Sequence, residues 1–230
     1  MMNALVLVTL PPKVKISFGA VLFVMAYIAG VPLSHAASLS VQVTDNAGAP
    51  VENAAVYAEL VAGEIKQKSV HPVEIAQIKR QFVPLVTVIQ AGTEVSFPNL
   101  DSVKHHVYSF SPSKIFDLPL YSGKVAQPQL FDKVGTVVLG CNIHDKMLAY
   151  VQVVNTPYFG KTDALGKVKL EGMAPGKYIL KAWHYSLPPL EQVVSQPVTL
   201  ADTDTTASFK INSVKKAPDV SNSNSNSNSY

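Results

Sequence analysis

One cysteine in 230 residues excludes a disulfide framework, which needs thiols in pairs. Helical periodicity is missing as well. No stretch after residue 37 repeats its apolar residues every three to four positions, which argues against a helical bundle. Charge of one sign is scarce: 19 Lys and Arg face 16 Asp and Glu, and two of the lysines, Lys13 and Lys15, lie in an N-terminal leader. The remainder is nearly balanced, so no basic stripe is left to bind nucleic acid. Long apolar runs are confined to that leader.

The leader reads as an export signal. Lys13 and Lys15 precede an apolar run over residues 16–28, and Pro32 and Ser34-His35-Ala36-Ala37 follow as a small-residue cleavage site. Residues 1–36 are therefore expected to be a signal peptide cut near Ala36, which places the protein in the periplasm. An uncleaved membrane anchor is the competing reading, because stretching the run to Leu33 brings it near the ~18 residues needed to span a bilayer. In an oxidising compartment a lone thiol is a liability unless something occupies it. Metal ligation is one such occupation; an inert buried thiol is the plain alternative.

What is present is β-structure. The chain is 47% hydrophobic, enough for one large or two small cores, and carries 16 Pro and 12 Gly at turn-like intervals. Leu39, Val41 and Val43 alternate with Ser38, Ser40 and Gln42, and residues 51–60 read as a second strand. Further strands are expected over residues 82–97, 135–140, 148–154, 167–170 and 177–183, near Val198, and over 207–211. Residues 212–230, rich in alternating Ser and Asn, cannot bury apolar surface and are expected to be disordered. Tyr108, Phe110, Phe116, Tyr121 and Tyr150 are expected in a β-sandwich core, with Trp183 in a different module. His71 and His184 carry no partner motif.

One turn string occurs twice, Thr44-Asp45-x-x-Gly48 and Thr162-Asp163-x-x-Gly166. It fits two copies of a module, two common β-turns, or two halves of one sandwich. The third reading is preferred, because two leading strands are marginal alone in water. Residues 38–60 and 156–211 then form a split β-sandwich into which residues 73–155 are inserted. Val43-x-Asp45-x-x-Gly48-x-Pro50 and Pro175-Gly176-x-Tyr178-x-Leu180 resemble the prealbumin-like, carboxypeptidase-regulatory sandwich.

The chemistry is concentrated in Cys141-Asn142-Ile143-His144-Asp145-Lys146-Met147, which sets thiolate, imidazole and thioether at C-x2-H-x2-M spacing between two strands. With an upstream histidine, His105 of the His105-His106 pair, the donors form a His2Cys set with a weak axial Met, the set of a blue-copper site. Soft sulfur favours Cu(I), imidazole accepts both oxidation states, and the combination suits neither extreme. Zinc competes poorly, since its sites want four strong donors and rarely a thioether.

These residues resemble the cupredoxins over residues 73–154, and the loop resembles that of amicyanin. Val95-Ser96-Phe97-Pro98-Asn99 followed by His105-His106-Val107 is similar to the family's strand, loop and His-Asn-Val. More closely, the chain resembles exported cupredoxin-domain proteins labelled methylamine utilisation proteins. The resemblance implies an all-β Greek-key β-sandwich and one type 1 copper ion held by His105, Cys141, His144 and Met147. It puts His106 where the family has an Asn that ties the ligand loops together, and makes His144 the ligand nearest the surface. The family's proline beside the second histidine is absent, with Asp145 and Lys146 there instead, so the docking surface is more polar.

The expected function is a periplasmic one-electron carrier with no chemistry on a small-molecule substrate. No His-Cys-His or His-x-His string supplies a second copper centre, so the protein is read as a non-enzyme. Its partner would be a redox protein that the sequence does not name; the fused second sandwich points to a dedicated partner or a membrane-associated complex. A copper carrier, buffer or sensor is the second reading. An adhesion or scaffold β-module with a vestigial copper site is the third.

Overall fold

The computed structural model describes residues 37–65, 68–123, 127–187 and 193–212. The signal-peptide reading of residues 1–36 and, except for its first residue, the tail expected to be disordered over residues 212–230 lie outside them. Among the described residues the structure is all β, and no helix is long and apolar enough to cross a membrane.

The chain opens with β1 (Ala37–Asp45) and β2 (Ala55–Leu60). Ten strands later it returns with β13 (Phe159–Lys161), β14 (Lys167–Met173), β15 (Gly176–Trp183), β16 (Val194–Leu200) and β17 (Thr205–Ile211). The two opening strands pair only with the returning ones, in sheets ordered β14-β1-β17 and β13-β2-β15-β16. Leu39, Val41 and Val43 point inward from β1, as their alternation requires, into a core shared with Val56, Ala58, Leu170, Tyr178, Leu180 and Phe209. Pro197 sits in β16, an edge strand, where its missing N–H breaks no ladder.

The repeated turn string builds two matching turns that touch. Asp45 Oδ1 accepts the amides of Ala47 and Ala49 at 2.9 and 2.8 Å, and Asp163 Oδ1 those of Leu165 and Lys167 at 2.9 and 2.8 Å. The amides of Val43 and Asn53 donate across to the carbonyls of Gly166 and Thr162. Gly166 is forced on two counts: its φ is +71°, and an added Cβ would lie 2.4 Å from the Val43 carbonyl oxygen.

The middle of the chain forms β3 (Val73–Glu74), β4 (Ala76–Ile78), β5 (Gln81–Val83), β6 (Val86–Gln90), β7 (Thr93–Ser96), β8 (His105–Ser111), β9 (Lys114–Tyr121), β10 (Gln129–Phe131), β11 (Gly135–Gly140) and β12 (Leu148–Val154). A five-stranded sheet, β6-β12-β11-β8-β9, faces a three-stranded one, β10-β7-β3, with β4 and β5 as a separate hairpin. Between them Ile89, Val95, Phe97, Val107, Phe131, Leu139 and Val151 form one core that also holds Cys141 and Met147.

The two bodies of strands are joined by packing. Ala55 and Trp183 from one meet Val86, Val88 and Tyr150 from the other, Tyr150 stacks on Tyr185 with centroids 5.1 Å apart, and Lys161 donates to the Val86 carbonyl at 3.1 Å. Trp183, expected to belong to one module alone, therefore seals the junction.

Three expectations need correction. Phe110 is 73% exposed, not core: β8 turns His106, Tyr108 and Phe110 to its outer side and Val107 and Ser109 inward. Tyr108, Tyr121 and Tyr150 are half-buried, and Phe116 is buried. The second strand begins at Ala55 instead of residue 51, because Asn53 has a left-handed φ of 62° that no strand accommodates.

Candidate metal centre

The hairpin between β11 and β12 carries three of the four predicted side chains. Register pairs Gly140 with Leu148, so residues 141–147 are the connection itself, tightened by the Met147 amide on the His144 carbonyl at 2.9 Å. Cys141 leaves β11 pointing into the core, 5% exposed, and Met147 enters β12 from the same core, 1% exposed. His144, between them, is half-buried and stands on the solvent side.

His105 arrives from β8. The β8–β9 register slips between His105 and Val107, a bulge that leaves both His105 and His106 buried on opposite sides of the strand. One ligand atom from each of His105, Cys141 and His144 falls within 4.8 Å of the other two. Cys141 Sγ lies 3.7 Å from His144 Nδ1, and the two imidazole centroids are 4.9 Å apart. Met147 is buried in the same cluster as Cys141.

Asp101 orients the buried histidine. His105 Nε2 lies 2.8 Å from Asp101 Oδ2, and the same carboxylate accepts the amides of Lys79 at 2.6 Å and Arg80 at 2.8 Å. Lys79 and Arg80 form the β4–β5 turn with φ of 53° and 58°. Burial works to raise the Asp101 carboxyl, but the Arg80 amide, the His105 imidazole and the Lys79 amide outweigh it and hold it below the ordinary carboxylate value. An ionised Asp101 accepts a hydrogen bond from Nε2–H, which leaves the Nδ1 lone pair of His105 bare.

That lone pair is the test of whether the residues fit a metal. His105 is fully buried, and its Nδ1 has no hydrogen-bond partner. Leaving such an acceptor unpaired costs about 1–3 kcal/mol, a cost that a cation shared with Cys141 and His144 removes. His144 is held below the ordinary imidazole value by burial first, then by His105 and Arg80, against a smaller opposing effect of Asp101. Neutral imidazole is the form that binds metal. The donors present are one thiol, two imidazoles and a buried thioether close by in the chain.

No protein-family model matches the chain, and no curated protein sequence does. Among solved structures, a Cu-containing nitrite reductase from Thermus scotoductus SA-01 is 26% identical over 42% of this chain, with a TM-score of 0.35. The match spans only 25% of that enzyme's length. A purple cupredoxin from Nitrosopumilus maritimus is 24% identical over 36% of this chain and 99% of its own, with a TM-score of 0.32. The reduced Cu(I) form of an amicyanin variant at pH 4 is 17% identical over 43% of this chain and 99% of its own, with a TM-score of 0.33. Each of these likenesses has a TM-score below 0.5 and covers less than half of this chain.

Around this cluster, two residues behave differently from the sequence expectation. His106 does not tie the ligand loops together; its Nε2 lies 2.6 Å from Asp117 Oδ1 on β9, and its buried Nδ1 is unpartnered. Asp101, which the sequence reading missed, instead ties His105 to the β4–β5 turn. Its only local signal was a carboxylate four residues before His105. Tyr108 was assigned to the core, yet its ring lies over Gly140, where an added Cβ would meet the ring at 2.7 Å. His71 is exposed, and His184 is buried against Ser186, both away from this cluster.

Proposed function

We propose that the protein is a periplasmic type 1 copper protein that carries one electron at a time. His105, Cys141, His144 and Met147 would hold a single copper ion, whose reversible Cu(I)/Cu(II) couple supplies the redox chemistry. The observation that carries this reading is the buried, unpartnered Nδ1 of His105, on a ring grouped with a thiol and a second imidazole. A thiolate with two imidazoles and a weak thioether disfavours the preferred geometry of both oxidation states about equally, so little rearrangement accompanies electron transfer. The chain's own residues supply the rest. Asp101 fixes the His105 ring, the core around Cys141 and Met147 keeps water from the sulfur atoms, and half-buried His144 is the edge through which an electron would pass to a redox partner.

The proposal includes no substrate turnover, and export rests on the leader in residues 1–36. Voltammetry of the copper-bound protein tests it. A reversible one-electron wave with fast self-exchange is expected. A protein that instead surrenders its copper readily to an apo-acceptor, and shows only a sluggish wave, is a copper carrier or buffer.

A further inference from the structure

We propose that the ligand end of the molecule is a cationic docking face for an acidic redox protein, one whose own redox group lies behind Asp and Glu carboxylates. The inference rests on the copper reading above and adds the chemistry of the partner. Apolar side chains are exposed there: Leu100 is 65% exposed, Ile143 49% and Val103 36%. Leu100 adjoins Asp101, the residue bonded to His105, and Ile143 adjoins His144. Exposed apolar side chains next in the chain to the site's residues, with charged neighbours, have the make-up of an interface centre and its rim.

The charge at this end is lopsided. Lys79, Arg80, Lys104 and Lys146 are all exposed. Lys104 precedes His105 and Lys146 precedes Met147, while the Lys79–Arg80 turn is fastened to the site by two hydrogen bonds from its amides to Asp101. The positive charge of Arg80 is felt at the His144 ring. Opposing these four cations in the same segments are Asp145, which is exposed, and Asp101, whose carboxylate is already taken by His105 and two amides. Since the chain beyond its leader is close to neutral, the excess is local and not a reflection of net charge. A local positive field around the exit edge accelerates encounter with anions and slows encounter with cations, within a Debye length of about 8 Å at physiological salt.

The test uses the copper-bound full-length protein, reduced and then oxidised in stopped flow by hexacyanoferrate(III), an anion, or by tris(phenanthroline)cobalt(III), a cation. The anion's rate constant is expected to fall on the order of tenfold from low to high salt and the cation's to rise. Poly-L-glutamate should compete with the anion while poly-L-lysine does not. Lys104→Glu/Lys146→Glu should reverse the preference; Lys167→Glu/Lys210→Glu, the same charge change on the exposed surface of β14 and β17, should preserve it. Rates insensitive to salt, or equal effects of the two double variants, overturn the docking face while leaving a blue, redox-active protein. Failure to form any copper–thiolate absorption overturns the copper reading, and the docking face with it.

Discussion

At the scale of single residues, the site is governed by one carboxylate with three partners. Asp101 grips His105 at Nε2 and so decides which ring nitrogen is left for a metal. Asp101→Ala removes that grip and leaves the amides of Lys79 and Arg80 without their acceptor. Loss of such a supporting bond typically costs about ten- to a hundredfold in metal affinity. Competition titration with a Cu(II) chelator should show a loss of that size in the variant, with Asp101→Glu recovering part of it; unchanged affinity would mean His105 is oriented by the strand alone. The four candidate ligands were legible because a metal needs particular donor atoms, and three of them sit in one seven-residue string. Asp101 was not, because two of its partners come from a turn some twenty residues upstream. Phe110 misled for a related reason. An aromatic in a strand can face either side, and only the register of β8 shows that this one faces out.

Among the elements, the β11–β12 hairpin and the bulge at the start of β8 do the positioning. The hairpin was readable from two runs rich in β-branched residues flanking the ligand string. The β8–β9 pair escaped notice because adjacent histidines break the alternation and Pro119 interrupts the second strand. Gly140 is the point where these elements meet, since Tyr108 lies against its backbone one residue before Cys141. In Gly140→Ala the new methyl must displace the Tyr108 ring. The copper–thiolate absorption should shift and the protein should lose about 1–3 kcal/mol in urea unfolding. A variant with unaltered spectrum and midpoint would show that the ring swings away freely.

On the scale of the whole molecule, the opening and closing strands share a core, and a packed junction fixes them to the strands between. The two turns were legible in the sequence, because Asp45 and Asp163 each build a turn whose geometry is local. The junction was invisible, since nothing in the sequence says that Trp183 should face Val86. His184 follows Trp183 and is 2% exposed; burial drives its pKa down to about 4, against a weaker opposing bond to the Glu52 carbonyl. Its Nδ1 accepts the Ser186 amide, a bond that protonation there would break. The unfolded chain binds this proton below about 6.5 and the folded chain only near 4, so stability is full above pH 6.5 and declines as pH falls toward 4. The contribution is roughly 3 kcal/mol when complete. Urea unfolding of metal-free protein across that range should show a decline that is smaller in His184→Gln, and an identical decline in both would assign the acid sensitivity elsewhere. The central claim, that sulfur and two imidazoles meet on one ion, is tested most directly by copper K-edge X-ray absorption. A short Cu–S bond with two imidazole nitrogens is expected, the sulfur component vanishing in Cys141→Ser; nitrogen and oxygen neighbours alone, or the same spectrum in both proteins, would contradict it.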